Sequence, residues 1–204
     1  MFLMQIKTFR VSIMNKKSHN IQGHPTKAHE SGSNLEKAIQ LAEAGHYEQA
    51  LGLLNKGSSA SPEYLNARGV CLMRMGRHAD AVRVLRSLVI PAGVTWMDSK
   101  LPVVFRANFA TALFLGGLPQ GMKDMLREID EKDHPSVVRL DKALKDWEKT
   151  LSMLQWCGWK LGIAQESPVK IDFLPGEFFD PMTVTSTTPP TAPVVDQPSG
   201  QKAA

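Results

Sequence analysis

Histidines and acidic residues are the side chains of this sequence that could bind a metal. His19, His24 and His29 recur every five residues in a stretch without cysteine or paired carboxylate partners, and a flexible leader makes a weak metal site. The other three histidines lie at predicted helix starts or turns, where exposed histidine is common: His46, His78 and His134. We therefore predict no metal site.

Catalytic patterns are equally weak. The acidic cluster Glu128, Asp130, Glu131 and Asp133 surrounds a predicted turn, so a solvated surface is a simpler interpretation than paired catalytic carboxylates. Gly116-Gly117 precedes a helix but lacks the Lys-Ser/Thr of a phosphate loop. No Ser/His/Asp or Cys/His set stands in a helix or elbow context. We expect a protein that is not an enzyme and uses no cofactor.

Composition and charge narrow the classes of partner. The chain has 204 residues, of which 43% are hydrophobic and 22% charged, which is typical of one globular domain with tails. Its net charge of +4 arises largely in residues 1–33, and a mildly positive core does not make a phosphate-binding surface. No uninterrupted apolar run reaches the roughly 18 residues of a membrane helix. We expect neither a nucleic acid nor a membrane as partner.

The ends of the chain and its cysteines bear on location. Cys71 and Cys157 lie far apart in helical patterns, which is typical of reduced thiols and favours a cytoplasmic protein. Residues 1–33 lack a sustained period and are predicted to be a disordered basic leader. Their composition also fits an organelle transit peptide, or an upstream start before Met14.

Capping and breaking residues divide the centre of the chain, residues 34–164, into helices. Ser33 and Glu36 form a capping-box pattern that predicts the first helix start. Glycines and prolines then predict helical hairpins at about 34–57, 62–88 and 102–130, with an irregular insertion at 89–101. One long amphipathic helix is predicted at about 135–164. Residues 165–204 are predicted to be an extended and then disordered tail.

The hairpins repeat one another. Gly45-His46-Tyr47-Glu48-Gln49-Ala50 matches Gly76-Arg77-His78-Ala79-Asp80-Ala81, and a third copy follows with Gly117 in the glycine position. Small residues precede each glycine at a fixed offset: Ala38, Gly69 and Ala110. Leucines follow it at matching positions: Leu54, Leu85 and Leu126. Since a helix pair cannot bury its apolar face alone, such pairs are expected to stack.

A glycine-turned helical hairpin repeated at about 34 residues resembles the tetratricopeptide repeat (TPR) family over roughly residues 34–130. The resemblance implies an all-α, TPR-like solenoid of three helical hairpins plus a long C-terminal capping helix, flanked by disordered tails. The third copy departs from the pattern, with Pro119 in place of the aromatic residue and Met122 in place of alanine. A generic helical bundle is the alternative.

The resemblance further implies a protein–protein interaction scaffold, in which the first helix of each pair lines a concave groove. The groove residues predicted here are Leu35, Ile39, Asn66, Val70, Met73, Arg74, Asn108, Thr111, Phe114 and Leu115. We expect this groove to bind an extended, partly apolar peptide of another protein, with amides that bond its backbone. The chaperone-tail clamp of the family does not transfer, since Leu35 and Ile39 occupy its positions.

Two alternatives remain open. The array could be a structural or assembly subunit, or a secretion-chaperone-like protein, packed permanently in a larger complex. The apolar stretch 171–179 could pack back on the array, near Trp156 and Trp159 or in the groove, or could itself be a recognition segment.

Overall fold

The computed structural model describes residues 27–56, 61–165 and 167–184. All regular elements in these ranges are helices, which confirms the all-α class. Eight helices of at least two turns are followed by one short turn of helix: α1 Lys27–Glu43, α2 Tyr47–Leu54, α3 Pro62–Arg74, α4 His78–Val89, α5 Val103–Leu115, α6 Pro119–Glu128, α7 Pro135–Glu148, α8 Met153–Lys160 and α9 Pro181–Val184. The predicted leader up to residue 26, Gly57 and the tail beyond residue 184 lie outside the described ranges.

The three repeated glycines end α1, α3 and α5 in the same way. Gly45, Gly76 and Gly117 have φ angles of 84°, 75° and 77°, a region in which residues with a Cβ are strained. In each turn the residue after the glycine donates its backbone N–H to the carbonyl five residues back. The three donor–acceptor distances are 2.8 Å for His46 to Leu41, 2.9 Å for Arg77 to Leu72 and 2.9 Å for Leu118 to Leu113. This pattern is the Schellman motif, which satisfies the free carbonyls at a helix end.

Small residues set the distance between the two helices of a pair. A Cβ placed on Gly69 of α3 would lie 2.4 Å from Cγ of Leu85 in α4, so only glycine fits there. Consecutive helices pack on each other from α1 to α7, and α1, α3, α5 and α7 also touch in that order. The first helices of the hairpins and α7 therefore form one continuous layer.

The core is apolar and continues into α8. Phe114 of α5 meets Trp147 of α7 edge to face, with ring centroids 6.2 Å apart, and Trp147 meets Trp159 of α8 in the same manner at 5.1 Å. Arg106 is a buried charge in α5. Its guanidinium pairs with Glu131 at 2.9 Å and donates to the carbonyl of Leu101 at 3.1 Å, which fixes the end of the irregular insertion.

The first helix begins earlier than predicted. It starts at Lys27 and includes Ser33, so the predicted N-cap at Ser33 is wrong and residues 27–33 are not a disordered leader. The sequence Lys27 to Glu30 contains alanine, lysine and glutamate, which favour helix. Their helix propensity competes with the cap pattern at Ser33, which favours a later helix start.

The prediction of one long helix at 135–164 is also wrong, because this stretch forms two helices. α7 ends at Glu148 and α8 begins at Met153. Ser152 caps α8 by accepting from the backbone N–H of Gln155 at 3.4 Å, and the Gln155 side chain accepts from the N–H of Ser152 at 3.0 Å. The break turns α8 back, so that Trp159 packs against Trp147.

Candidate functional site

The segment 167–180 lies across the layer of first helices, on the face predicted to be the groove. It follows α7 from its C-terminal end towards its N-terminal end. Four contacts mark this path: Trp147 Nε1 donates to the Ser167 carbonyl at 3.4 Å, Lys142 pairs with Asp172 at 3.3 Å, the Arg139 guanidinium lies 5.3 Å from the Phe173 ring centroid, and His134 Nε2 lies 3.1 Å from Asp180 Oδ1. The predicted extended stretch thus lies against the face predicted to form the groove, which is called the groove below.

Two buried asparagines bind the main chain of this segment. Asn108 of α5 donates from Nδ2 to the Glu177 carbonyl at 2.7 Å and accepts from the Glu177 N–H at 3.0 Å. Asn66 of α3 donates to the same carbonyl at 3.1 Å. The two amides are joined by a 2.8 Å bond from Asn108 Nδ2 to Asn66 Oδ1. Glu177 is therefore held by its backbone, whatever its side chain does.

Arg74, at the end of α3, contributes the next backbone contacts. Its Nε donates to the Pro175 carbonyl at 3.1 Å and its Nη2 to the Gly176 carbonyl at 2.9 Å. The guanidinium also lies 4.7 Å from the ring centroid of Phe178, within cation–π distance. Burial lowers the pKa of Arg74 from its ordinary value, but a guanidinium remains charged at neutral pH.

The floor of the groove requires a glycine above it. Gly176 is buried and has a φ of 77°. A Cβ at this position would lie 2.7 Å from Met73 Cε and 3.0 Å from Val70 Cγ2. Both the backbone conformation and the space therefore exclude an unstrained larger residue. Val70 and Met73 are 0% and 1% exposed beneath the segment.

The Glu177 side chain points to α7. Its carboxylate accepts from the Ser136 hydroxyl and from the Arg139 guanidinium. Ser136 is buried and is a neutral donor, whereas Arg139 is partly exposed and is a charged donor. Each of them bonds a different oxygen of the carboxylate. A charge-assisted pair of this kind favours an acidic residue over an amide or an apolar one.

His134 closes the far end of the groove. Its Nδ1 accepts from the Ser136 backbone N–H at 3.2 Å, so in the neutral ring the proton is on Nε2. Nε2 then donates to Asp180 Oδ1 at 3.1 Å. The histidine is 4% exposed and caps the N-terminus of α7 at the same time.

The aromatic residues of the segment differ in their burial. Phe178 packs against two apolar clusters of the described residues, the one between α1, α2 and α3 and the main cluster beyond it. Phe173 packs against the main cluster. Leu174 and Phe179 are 60% and 57% exposed. Of the aromatic side chains of the segment, those of Phe173 and Phe178 therefore pack inward.

Five of the predicted groove residues contact the segment. Asn66, Val70, Met73, Arg74 and Asn108 contact it. Phe114 is 0% exposed against Trp147, and the Thr111 hydroxyl donates to the Ala107 carbonyl of its own helix at 2.8 Å. Leu115 packs on the main cluster, Leu35 packs on the cluster of α1 to α3, and Ile39 is buried. A role in the groove stays a prediction for these five residues.

Sequence reasoning missed the wall of the groove formed by α7. His134, Ser136, Arg139 and Lys142 all contact the segment, but α7 was interpreted only as a cap. A signal existed: Ser136, Arg139 and Lys142 recur three residues apart, which puts polar side chains on one face beside the apolar stripe.

Two acids of the cluster around the turn, Glu128 and Glu131, have structural partners. Glu128 accepts from the backbone N–H of Met97 at 2.8 Å, and Glu131 pairs with Arg106. Over the described ranges, no three His, Cys, Asp or Glu side chains are grouped so that they could hold a metal ion. None of the helices in the same ranges is long and apolar enough to span a membrane.

Comparisons with known proteins identify no relative. No family model matches the chain, no curated protein matches it, and no solved structure matches it.

Proposed function

We propose that this chain is a protein–protein interaction scaffold, a TPR-like solenoid whose concave groove binds an extended, partly apolar peptide. Residues 173–180 of this segment would be a built-in ligand that occupies the groove until a partner peptide displaces it. The protein would act as a binding module rather than an enzyme. The proposal includes a cytoplasmic location, which is supported by two cysteines that are both free thiols.

The observation that carries the proposal is that the groove bonds to backbone atoms. Asn66, Asn108 and Arg74 together bond four main-chain groups over three consecutive residues, Pro175 to Glu177. Every peptide has such groups, so a surface that pairs with them can accept an extended segment from another chain as well as its own.

A competition experiment tests the proposal. In the full chain, Glu177→Lys with Phe178→Ala weakens the built-in segment without changing the groove. We expect this opened chain to bind a fluorescent peptide of residues 168–182 at least tenfold more tightly than wild type. The reason is that the tethered segment competes at an effective concentration of order millimolar. The readout is fluorescence anisotropy, with circular dichroism to establish that the opened chain is folded.

Arg74→Ala is the groove variant and Arg83→Ala is its control, and both are made in the opened chain. Arg74 contacts the segment, whereas the Arg83 side chain is 78% exposed on α4 and pairs only with Asp80 among the described residues. Arg74→Ala should abolish binding and Arg83→Ala should preserve it. A folded opened chain that binds the peptide no better than wild type would contradict the proposal.

An assembly subunit is the second candidate, favoured by the outer surface of α8 and the residues that follow it. Met153 and Leu154 are 85% and 84% exposed, and Leu161 and Ile163 are 79% and 58% exposed. A cluster of this kind is typical of a surface that another protein covers. Light scattering coupled to size-exclusion chromatography tests this candidate. A monomer at all concentrations argues against self-assembly, and a dimer that Leu154→Glu dissociates would support it.

A further inference from the structure

We propose that the groove recognises one particular order of residues in its partner, glycine, then an acidic residue, then an aromatic residue. The inference rests on the proposed function and names the chemistry of the peptide that the groove takes. The built-in residues Gly176, Glu177 and Phe178 each meet a separate feature of the groove. These three features are a contact surface without room for a Cβ, a pair of donors and a guanidinium over an apolar hollow.

The glycine position is selective by exclusion. Val70 and Met73 approach the backbone so closely that a Cβ would lie 2.7 Å from Met73 Cε. Displacing the Met73 methyl would relieve one contact, but the φ of 77° would still strain any other residue. A partner without glycine here could not bring its next carbonyl within reach of Asn66 and Asn108.

The acidic position is selective by charge. Arg139 and Ser136 both donate to the Glu177 carboxylate, and the carboxylate side chain is 21% exposed. Lys142, one turn further along α7, adds positive charge to the same wall, although it is already paired with Asp146 and Asp172. A lysine in the partner would face Arg139, and an apolar residue would leave Ser136 and Arg139 without their acceptor.

The aromatic position is selective by shape and by a cation. The Phe178 ring lies under the Arg74 guanidinium at 4.7 Å and packs against both apolar clusters. An aliphatic side chain would fill part of this space but would lose the cation–π contact. Leu174 and Phe179 are mainly exposed, so the groove does not select the side chains at these two positions.

The test uses the full chain opened by Glu177→Lys and Phe178→Ala and a set of labelled 168–182 peptides. The single variant Phe178→Ala is the second background, in case the double variant does not fold. Peptides that carry Gly176→Ala, Glu177→Gln or Phe178→Ala should each bind at least about tenfold more weakly than the native peptide, as expected for anchors of an interface. Peptides that carry Leu174→Ala or Phe179→Ala should bind within about threefold of native.

A charge exchange adds a specific readout. In the Phe178→Ala background, whose own segment keeps Glu177, the peptide with Glu177→Lys should fail to bind but should recover binding when the chain also carries Arg139→Glu, as a direct pair requires. Two failures are distinguishable. If no peptide binds, the groove is not a binding site and the proposed function is wrong. If the native peptide binds but substitutions at 176–178 cost no more than those at 174 and 179, or the exchange gives no recovery, the proposed order of residues is wrong.

Discussion

Asn108 and Glu177 form a closed pair of hydrogen bonds, in which the side-chain amide of one meets the backbone of the other. Asn108 Nδ2 donates to the Glu177 carbonyl at 2.7 Å, and the Glu177 N–H donates to Asn108 Oδ1 at 3.0 Å. An amide side chain has the same donor and acceptor as a peptide group, so it can pair with an extended chain as a neighbouring strand would. A helix surface thereby acquires the recognition chemistry of a sheet edge.

The pair lies at the centre of the groove because the fold brings three helices together there. Asn66 on α3, Asn108 on α5 and Ser136 on α7 all contact the one residue Glu177. The layer formed by these helices is thus what makes the contact possible. We therefore expect the loss of a contact to the segment to weaken the packing of all three helices.

Phe178 and Phe179 are neighbours in sequence with opposite environments, which makes them a matched pair for mutation. Phe178→Ala removes a ring that joins both apolar clusters, and we expect it to lower the free energy of unfolding by about 2 kcal/mol. Phe179→Ala removes a ring that is 57% exposed and should change it by less than about 0.5 kcal/mol. Urea denaturation measures both. Equal effects would mean that the segment is not seated as described.

Gly69 and Gly52 are both helical glycines, and we predict that alanine has opposite effects at the two positions. At Gly69 the new Cβ would lie 2.4 Å from Leu85 Cγ, so α3 and α4 must separate and stability should fall by about 1–3 kcal/mol. At Gly52 nothing lies within 4 Å of the new Cβ, and the higher helix propensity of alanine should raise stability by about 0.5–1 kcal/mol. Thermal melts of the two variants check the signs. Two stabilised variants would refute the close packing of this helix pair.

Local sequence signals predict much of the helical architecture. Gly45, Gly76 and Gly117 end helices in the structure, because an α-left residue is cheapest as glycine. The start of α1 and the break before α8 were mispredicted. In both places a cap pattern competes with helix-favouring neighbours. Ser152 is a cap because Trp159 gains a place against Trp147.

The site could be predicted only in part. The sequence predicts Asn66, Asn108 and Arg74 as groove residues, because polar side chains on the inner helices of a repeat rarely serve the apolar core. The role of Phe114 in the core, and that of Arg139 in the groove, depend on the angle between α5 and α7. Helix periodicity gives the face of a residue but not this angle, so these two assignments required the structure.

The ion pair between Arg106 and Glu131 predicts a pH-dependent stability. The hydrogen bond from Arg106 lowers the pKa of Glu131 below its ordinary value of about 4.3. A depressed pKa in the folded state means that the pair stabilises the protein above that ordinary value and loses this effect as the pH falls through the lower folded-state pKa. Glu131→Gln should therefore lower the melting temperature at pH 7, and its difference from wild type should narrow below about pH 4.

Asp133→Asn is the control for this pH series, since Asp133 is an exposed acid in the same turn. Its melting temperature should follow that of wild type throughout. A gap between Glu131→Gln and wild type that stays constant from pH 7 to pH 3 would show that the charge of Glu131 is not what holds Arg106.

The two cysteines should react at very different rates. Cys71 is 0% exposed, and burial raises the pKa of its thiol to about 11, so little thiolate is present at pH 8. Cys157 is exposed. Treatment of the folded protein with iodoacetamide should add one group, at Cys157, and Cys157→Ser should remove it. Mass spectrometry would contradict this if Cys71 were labelled in native protein as fast as Cys157.

Hydrogen exchange at the Glu177 amide tests the central claim that segment 173–180 occupies the groove. Because this N–H donates to Asn108, NMR should find its exchange slowed at least tenfold relative to an unstructured peptide in wild type. The protection should be lost in Asn108→Ala and retained in Thr111→Val, since the Thr111 hydroxyl donates to the Ala107 carbonyl of its own helix. A Glu177 amide that exchanges at the unstructured rate in the folded wild-type protein would contradict the account.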